Sequence, residues 1–383
     1  MTRSDCTPYI TIGPRVRKSP YYEATRRYGA KAFTIYNHMF MPTVYTDPVD
    51  EYWKLVNDVT LWDVACERQI EITGPDAARL VQLLIPRNVS KLDVEQCWYV
   101  LMTAEDGGII NDAVLLRLGE NRFWLSPADG DALLWVRGIA VNAGLEATIR
   151  EPDVSPLQLQ GPKSPQVAQA LFGDWALDLG YYRLKETELD GIPIVLARTG
   201  WSGEIGFEIY LRDSQYGDVL WEKVMAAGKP YGIAPIAPST IRSIEGGILA
   251  YISDITPEDN PYVLGFDRLV DLDHETDFIG KAAPKKIKAE GVTRRLVGVK
   301  ISGSPLQPNE EHWPVMNDHK PIGHITRCAF SPRLEYNIGF ANVPVDRADI
   351  GTKLLVTTPS GERQASVVPI PFFESKKLIT VTD

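Results

Sequence analysis

Apolar residues along the chain follow two alternating patterns, one typical of short strands and one of short amphipathic helices. Segment 69–73 alternates like a strand, meets Gly74-Pro75, and is followed by apolar residues at helical spacing. The same order recurs about 87 positions later, where segment 157–160 meets Gly161-Pro162 and a second helical pattern. This recurrence indicates two related α+β halves, although Gly-Pro turns are common enough to arise without such a relationship.

Similar patterns predict further elements between and after these two units. Asp47-Pro48 is a typical helix start and predicts a helix over 49–58. We interpret 1–45 as an extended arm and the basic stretch 281–288 as a solvated linker. The remaining predictions are a hairpin from 97–103 and 113–118, a strand at 122–126, and helices near 129–143, 214–227 and 238–249.

The carboxyl-terminal part differs from the rest, because short alternating strands separated by Pro and Gly turns begin near residue 295. This pattern is typical of a small all-β barrel. We therefore predict an α+β protein of three domains. The first α+β domain spans 1–148 with the arm, the second α+β domain spans 149–285, and the barrel spans 286–383.

Composition narrows the class of protein. The chain has 383 residues, 44% of them apolar and 23% charged, which is ordinary for a globular enzyme. A net charge of -10 argues against nucleic acid as a partner. No apolar run approaches the length of a membrane span, and no signal peptide is evident at the amino terminus. Four widely spaced cysteines, without a C-x-x-C pair, favour a reducing cytoplasm: Cys6, Cys66, Cys97 and Cys328.

Segment 198–211 carries the most informative chemistry in the chain. Three glycines and a serine form a tight loop, and an alternating strand follows on which Glu208 and Tyr210 share one face. A carboxylate beside a phenol, close to Trp201, suits an aromatic heterocycle that carries hydrogen-bond donors. The alternative is a glycine-rich hairpin whose polar face is solvated.

Asp112 is a second candidate, because it follows Gly107-Gly108 and precedes an apolar run. A carboxylate at such a turn can be partly desolvated and so prepared for proton transfer, although capping of the turn is the simpler role. The histidines at 274, 312, 319 and 324 show no metal-ligand spacing, so we expect no metal site. Hydrolase and dinucleotide-binding motifs are also missing from the sequence.

Two of these segments resemble signatures of the folate-binding aminomethyltransferase superfamily, which the glycine-cleavage T-protein typifies. Segment 198–210 is similar to R-T-G-[YW]-[ST]-G-E-x-G-[FY]-E-[IV]-Y, and 107–112 is similar to G-G-[IV]-x-[DN]-D. The resemblance implies three domains in a cloverleaf around a central pocket for tetrahydrofolate. It also implies that Glu208 accepts hydrogen bonds from the pterin and that Asp112 positions the folate and accepts a proton. Further expected cofactor contacts are Tyr99, Trp201 and Tyr210.

Within the superfamily the chain resembles the dimethylsulfoniopropionate demethylase branch, most clearly in 62–69, which read W-D-V-A-C-E-R-Q. This likeness implies a donor pocket formed by Tyr36, His38, Trp124, Ser126, Trp201 and Tyr210. Three segments depart from that branch. The branch has G-W-S-K-Q-G-G at 200–206, N-D-P at 111–113 and N-x-I-E-R-x-E-S at 239–246, where this chain has G-W-S-G-E-I-G, N-D-A and S-T-I-R-S-I-E-G.

These resemblances imply a tetrahydrofolate-dependent demethylase that moves a methyl group from a small carboxylate to N5 of the coenzyme. Because the altered loops would border the donor, the sequence favours a methoxy-aromatic acid, with His38, Tyr36 or Tyr210 as the acid that assists the leaving oxygen. The main alternative is a sulfonium donor, which needs no acid. Neither a membrane nor nucleic acid is expected as a partner, whereas a homo-oligomer is possible.

Two other classes remain open at this stage. A glycine-cleavage aminomethyltransferase typically has A-R-D where this chain has Ala237-Pro238-Ser239. A non-catalytic folate-binding protein usually has a reactive cysteine near 240–255, and this chain has none in that segment.

Overall fold

The computed structural model describes residues 12–373, so that Cys6 and the first residues of the predicted arm lie outside it. Eight α-helices lie within the described range: α1 (Tyr22–Arg27), α2 (Pro48–Asn57), α3 (Ala77–Leu84), α4 (Ala132–Ala143), α5 (Ser164–Phe172), α6 (Gly217–Gly228), α7 (Thr240–Glu245) and α8 (Ala282–Glu290). None of these helices combines the length and apolar character needed to cross a membrane.

Nineteen strands lie in the same range. The first eight are β1 (Ala32–Tyr36), β2 (Met39–Val44), β3 (Thr60–Asp63), β4 (Ile70–Thr73), β5 (Gln96–Thr103), β6 (Ile109–Gly119), β7 (Arg122–Pro127) and β8 (Thr148–Arg150). The next five are β9 (Ser155–Gln160), β10 (Leu184–Leu189), β11 (Ile192–Ala197), β12 (Gly206–Leu211) and β13 (Ala234–Pro235). The last six are β14 (Arg294–Ile301), β15 (Trp313–Asn317), β16 (Lys320–Ser331), β17 (Tyr336–Pro344), β18 (Lys353–Thr358) and β19 (Gly361–Val368).

The segment interpreted as an extended arm is instead folded over much of its length. It contains helix α1 and the antiparallel hairpin β1–β2. Asn37 and His38 form the hairpin turn with φ of 46° and 60°, the left-handed pair that matches the twist of two strands. Tyr21 and Ala24 are buried in a hydrophobic core with residues of β9 and β12. Burial of these side chains explains why the segment does not stay extended.

The two strand–Gly-Pro–helix units are present and occupy equivalent places in two sheets. Strand β4 lies inside a five-stranded sheet of order β5-β6-β7-β4-β8, with α3 after it. Strand β9 lies inside a six-stranded sheet of order β10-β11-β12-β9-β3-β13, with α5 after it. Gly74 and Gly161 have φ of 120° and 119°, and a Cβ at either position would approach a backbone oxygen to 2.8 Å or less. This shared conformation supports the interpretation that the halves are related.

One strand crosses between the two halves of the sequence. Strand β3 comes before β4 in the chain, yet it pairs antiparallel with β9 and parallel with β13 in the second sheet. A buried cluster of Trp124, Tyr210, Val195 and neighbouring residues joins the two sheets. The second sheet therefore depends on residues from both halves, whereas the exact domain boundaries stay a prediction.

The predicted barrel is confirmed as a closed six-stranded barrel of order β14-β17-β16-β15-β18-β19.

Two local predictions for segments that precede the barrel were wrong. The helix expected over 238–249 ends at Glu245, because Gly246 and Gly247 follow and Gly247 has a φ of 68°. The stretch expected to be a solvated linker forms α8, which is mostly exposed and buries Pro284.

Candidate active site

Glu208 lies in the middle of β12, where β11 and β9 pair on either side, and it is only 2% exposed. Its carboxylate accepts hydrogen bonds from Gln158 Nε2 at 2.7 Å, from Tyr210 OH at 2.7 Å and from the hydroxyl of Thr199. Burial raises the pKa of Glu208, and these three donors oppose the rise. The strand position therefore presents a buried acceptor that is held in a fixed orientation.

Glu67, which the motif analysis did not single out, is a second carboxylate in this region. It follows β3, remains partly exposed, and accepts a hydrogen bond from Ser126 Oγ at 3.0 Å. Burial raises the pKa of Glu67 well above its ordinary value, and the nearby charges of Glu208 and then Asp112 raise it further. The signal was present in the sequence as the acidic residue of the W-D-V-A-C-E-R-Q segment.

Asp112 lies on β6 and is 9% exposed. Its Oδ2 accepts a hydrogen bond from Tyr99 OH at 2.8 Å, whereas Oδ1 is buried without a donor among the described residues. Burial raises the pKa of Asp112 to about 6, and the hydrogen bond from Tyr99 opposes the rise. An acceptor oxygen without a donor, on a group with that pKa, can receive a proton from a ligand near neutral pH.

Tyr36 and His38 are neighbours in sequence but lie in different environments. Tyr36, at the end of β1, is partly exposed, and burial together with Cys66, Asp112 and Glu67 raises its pKa. The side chain of His38 is 61% exposed at the hairpin tip, where Nε2 lies 3.8 Å from Asp131 Oδ1. The structure thus brings Tyr36 near the carboxylates but leaves the His38 side chain facing solvent.

The aromatic residues expected to line the donor pocket separate into buried and accessible side chains. Trp124 and Tyr210 are at most 1% exposed and pack together with ring centres 6.1 Å apart. The Trp124 indole donates to Glu71 at 3.1 Å, so its polar group is used within the core. Trp201 is partly exposed and donates from Nε1 to the Leu249 carbonyl at 3.4 Å, which leaves part of its ring accessible.

Two of the positions that differ from the demethylase branch contact each other in the interior. Arg242 Nε donates to Glu204 Oε1 at 2.7 Å, and Arg242 also donates to the Gly203 carbonyl at 3.1 Å. The side chains of Arg242 and Glu204 are 0% and 4% exposed. These substitutions therefore form a buried ion pair that ties helix α7 to the loop carrying Trp201.

Two arginines near the signature loop, Arg327 and Arg333, also have structural partners. Arg327 donates to Asp254 at 2.6 Å and to the Ile248 carbonyl at 2.7 Å, and it lies over the Trp201 ring. The Arg333 guanidinium lies 4.1 Å from the ring centre of Phe373. The hydrogen bonds of Arg327 therefore connect the barrel to the segment that precedes it.

The residues present fit a reduced pterin. Glu208 is a buried carboxylate with about four acceptor sites, three of which protein donors occupy, and Asp112 Oδ1 is a buried acceptor that still lacks a donor. The oxygen Oε1 of Gln69, a residue only 1% exposed, also lacks one. Buried acceptors without donors are rare in folded proteins, so a ligand that carries hydrogen-bond donors would fit this region.

Comparison with known proteins agrees with this architecture. The family model "GCVT N-terminal domain" matches residues 21–274, and "Glycine cleavage T-protein C-terminal barrel domain" matches 294–374. A dimethylsulfoniopropionate demethylase, DmdA, from Ruegeria pomeroyi is 37% identical over 353 residues, covering 92% of this chain and 96% of that protein. An aminomethyltransferase from Symbiobacterium thermophilum is 33% identical over 374 residues, covering 94% and 98%.

A solved structure gives the same result. The glycine cleavage system aminomethyltransferase T from Bartonella henselae superposes with a TM-score of 0.85 at 25% identity, covering 94% of this chain and 99% of that one. The fold and site define a tetrahydrofolate-dependent one-carbon transferase. The chain belongs to the glycine-cleavage T-protein family, which confirms the fold expected from its signatures.

Proposed function

We propose that this transferase takes a methyl group from a small sulfonium carboxylate of the dimethylsulfoniopropionate type and delivers it to N5 of tetrahydrofolate. The observation that carries the proposal is the charge of the site. Three carboxylates, those of Glu67, Asp112 and Glu208, accept hydrogen bonds from neutral groups: the hydroxyls of Ser126, Tyr99, Thr199 and Tyr210 and the amide of Gln158. Such an environment favours a positively charged donor.

The leaving group supports the same choice. A sulfonium departs as a neutral thioether and needs no acid, whereas an aryl ether leaves as a phenolate that must be protonated or stabilised. The side chain of His38, one of the acids considered for the ether, is 61% exposed. Two of the altered positions that favoured a methoxy-aromatic acid, Glu204 and Arg242, form a buried ion pair with each other, which weakens that argument for an ether.

The comparisons favour the sulfonium alternative over the methoxy-aromatic reading. The relative with 37% identity is named for dimethylsulfoniopropionate, and its likeness extends over 92% of this chain. The aminomethyltransferases compared are at most 33% identical to this chain. An aminomethyl donor is therefore the second kind of donor to be tested. A cytoplasmic location and a homo-oligomer stay predictions.

Tetrahydrofolate, when bound, supplies the nucleophilic N5 that accepts the methyl group. Glu208 orients the pterin by accepting its N–H donors, while Gln158, Thr199 and Tyr210 keep the carboxylate in place. Asp112 is mostly ionised at neutral pH and holds at Oδ1 the proton that the amine loses. Alignment of the donor's methyl carbon with the acceptor nitrogen supplies much of the acceleration.

The proposal is tested by incubating the protein with tetrahydrofolate and single donors, followed by mass detection of methylated folate. Dimethylsulfoniopropionate should give 5-methyltetrahydrofolate, and methoxy-aromatic acids should not. Asp112→Asn should lower the rate by roughly 100-fold or more, whereas Glu105→Gln, an exposed change on the same hairpin, should not. Methyl transfer from an ether but not from the sulfonium would reject the proposal, as would transfer restricted to an aminomethyl donor.

A further inference from the structure

Arg87 is a partly buried arginine without a carboxylate partner. It lies just after α3, where Nη1 donates to the Tyr99 carbonyl at 3.0 Å and the guanidinium lies 3.7 Å from the centre of the Trp98 ring. In the part of the chain that the structure describes, no Asp or Glu lies within ion-pair distance of it. By contrast, the buried Arg242 and Arg327 each pair with a carboxylate. A guanidinium has five N–H donors, so Arg87 retains donors for an anion.

A neighbouring turn brings acidic residues close to Arg87 without neutralising it. The backbone N–H of Asp271 donates to the Pro86 carbonyl at 2.8 Å, so the turn leading to Asp271 lies beside Arg87. The Asp271 carboxylate pairs instead with Lys91 at 3.0 Å. Asp267, on the same turn, is exposed and forms no ion pair with any residue that the structure describes. A partly buried charge without a partner is unfavourable, and a bound anion would remove that cost.

Tyr99 connects Arg87 to the candidate active site. Its hydroxyl donates to Asp112 Oδ2 at 2.8 Å, while its carbonyl accepts from Arg87. Its ring packs edge-on against Phe266, with ring centres 5.8 Å apart, and both side chains are partly exposed. A single tyrosine residue therefore separates the carboxylate of Asp112 from the guanidinium of Arg87, and accessible aromatic surface borders the interval between them.

The cofactor of the family has the same order of groups. In tetrahydrofolate, a single aminobenzoyl ring separates the reduced pteridine from a glutamate that carries two carboxylates. The site offers acceptors for the pteridine at Glu208 and Asp112, aromatic side chains next to them, and an arginine beyond. Arginine is well suited to the last of these groups, because its planar N–H donors match the geometry of a carboxylate.

We propose that Arg87 binds a carboxylate of the glutamate of tetrahydrofolate, and that it gives the protein a preference for folates in which this group is charged. The inference rests on tetrahydrofolate as the cofactor and on the placement of its pteridine at Glu208 and Asp112, as in the proposed function. It does not depend on which molecule donates the methyl group. Arg87 is a binding residue at the far end of the cofactor and takes no part in methyl transfer.

The test compares tetrahydrofolate with its diamide, in which both glutamate carboxylates are replaced by neutral carboxamides of similar shape. Affinities are measured by anaerobic calorimetry on the full chain. Wild-type protein should bind tetrahydrofolate at least about tenfold more tightly than the diamide, because hydrogen bonds between charged groups are among the stronger ones. Arg87→Gln should reduce this preference to within about threefold and leave the affinity for the diamide within about twofold. The matched control Arg79→Gln changes an arginine on α3 that is 72% exposed, and it should keep the full preference.

Further variants separate recognition from folding. Arg87→Met keeps an apolar stem over the Trp98 ring and, as a second neutral variant, should lose the preference in the same way. Arg87→Lys keeps the charge without the planar donors and should keep part of the preference. Thermal melting shows whether each variant is folded. A folded neutral variant that still prefers tetrahydrofolate tenfold would overturn the inference, as would equal binding of both ligands by wild-type protein. An equal loss of affinity for both ligands would overturn it too, because Arg87 would then support the site without binding the glutamate.

Failure of this inference and failure of the proposed function give different results, because the binding assay contains no methyl donor. If the preference depends on Arg87 but the sulfonium is not demethylated, the glutamate site stands and the proposed reaction is rejected. If the sulfonium is demethylated while Arg87→Gln keeps the full preference, the reaction stands and the role of Arg87 is rejected.

Discussion

The buried pair Arg242–Glu204 provides a quantitative test of how the signature loop is held. Arg242 is completely buried, donates to Glu204 at 2.7 Å, and lies 3.9 Å from Glu245 through Nη1. Arg242→Met removes the hydrogen-bonded charged partner of Glu204, which keeps the more distant Arg333 at 4.0 Å. Breaking a buried pair in this way costs about 3–5 kcal/mol.

The reciprocal change should cost less. Glu204→Gln keeps a hydrogen-bond acceptor for Arg242, and Glu245 still lies near the guanidinium, so we expect a loss of about 1–3 kcal/mol. The double variant removes both charges and should be more stable than the sum of the single losses predicts. The difference should be about 0.5–3 kcal/mol, the range measured for residues in direct contact.

Urea unfolding followed by tryptophan fluorescence measures these free energies, with thermal melting as a parallel readout. Tetrahydrofolate binding should fall with Arg242→Met, because Arg242 donates to the Gly203 carbonyl in the loop that also carries Trp201. A loss below about 0.5 kcal/mol for Arg242→Met would place it among ordinary surface changes and refute the reasoning. Strict additivity of the two single variants would refute it as well.

Three further predictions concern the site. The rate of methyl transfer should rise with pH through about 6 as Asp112 loses its proton, and Tyr99→Phe should move the midpoint upward because it removes a donor to the ionised form. Glu208→Gln should weaken tetrahydrofolate binding by roughly 10- to 100-fold, measured by calorimetry, since it loses a charged acceptor. His38→Ala should leave kcat on a sulfonium within about twofold, because its side chain faces solvent; a large loss would show that His38 takes part in methyl transfer.

Local patterns in the sequence predicted most of the secondary structure. Strand alternation and helix spacing depend on neighbouring residues, so β4 with α3 and β9 with α5 follow from their segments directly. The pairing of β3 with β9 depends on residues about a hundred positions apart and leaves no local signal. Helix α1 was missed for a similar reason, since its buried residues pack against the second half.

The burial of the candidate site residues could be predicted where a family signature covers them. Outside the signatures their environment could not be predicted. Glu208 and Asp112 lie on elements whose motifs were recognised, and the structure gives both the burial expected of them. The left-handed turn that leaves His38 exposed has no signal in the sequence, and the role of His38 as an acid stays a prediction. Glu67 was overlooked, because the nearby charge that raises its pKa belongs to Glu208, 141 positions further along the chain, and leaves no local signal.

The route of β3 into the second sheet constrains how the polypeptide can be made and divided. As synthesis proceeds from the amino terminus, residues 60–63 have no strand partner until 155–160 emerge, so the amino-terminal half must wait in an incomplete state. A fragment ending near residue 148 would expose an unpaired strand edge, and the complementary fragment would have an open place in its sheet. Separately produced halves should therefore aggregate alone and recover structure when combined.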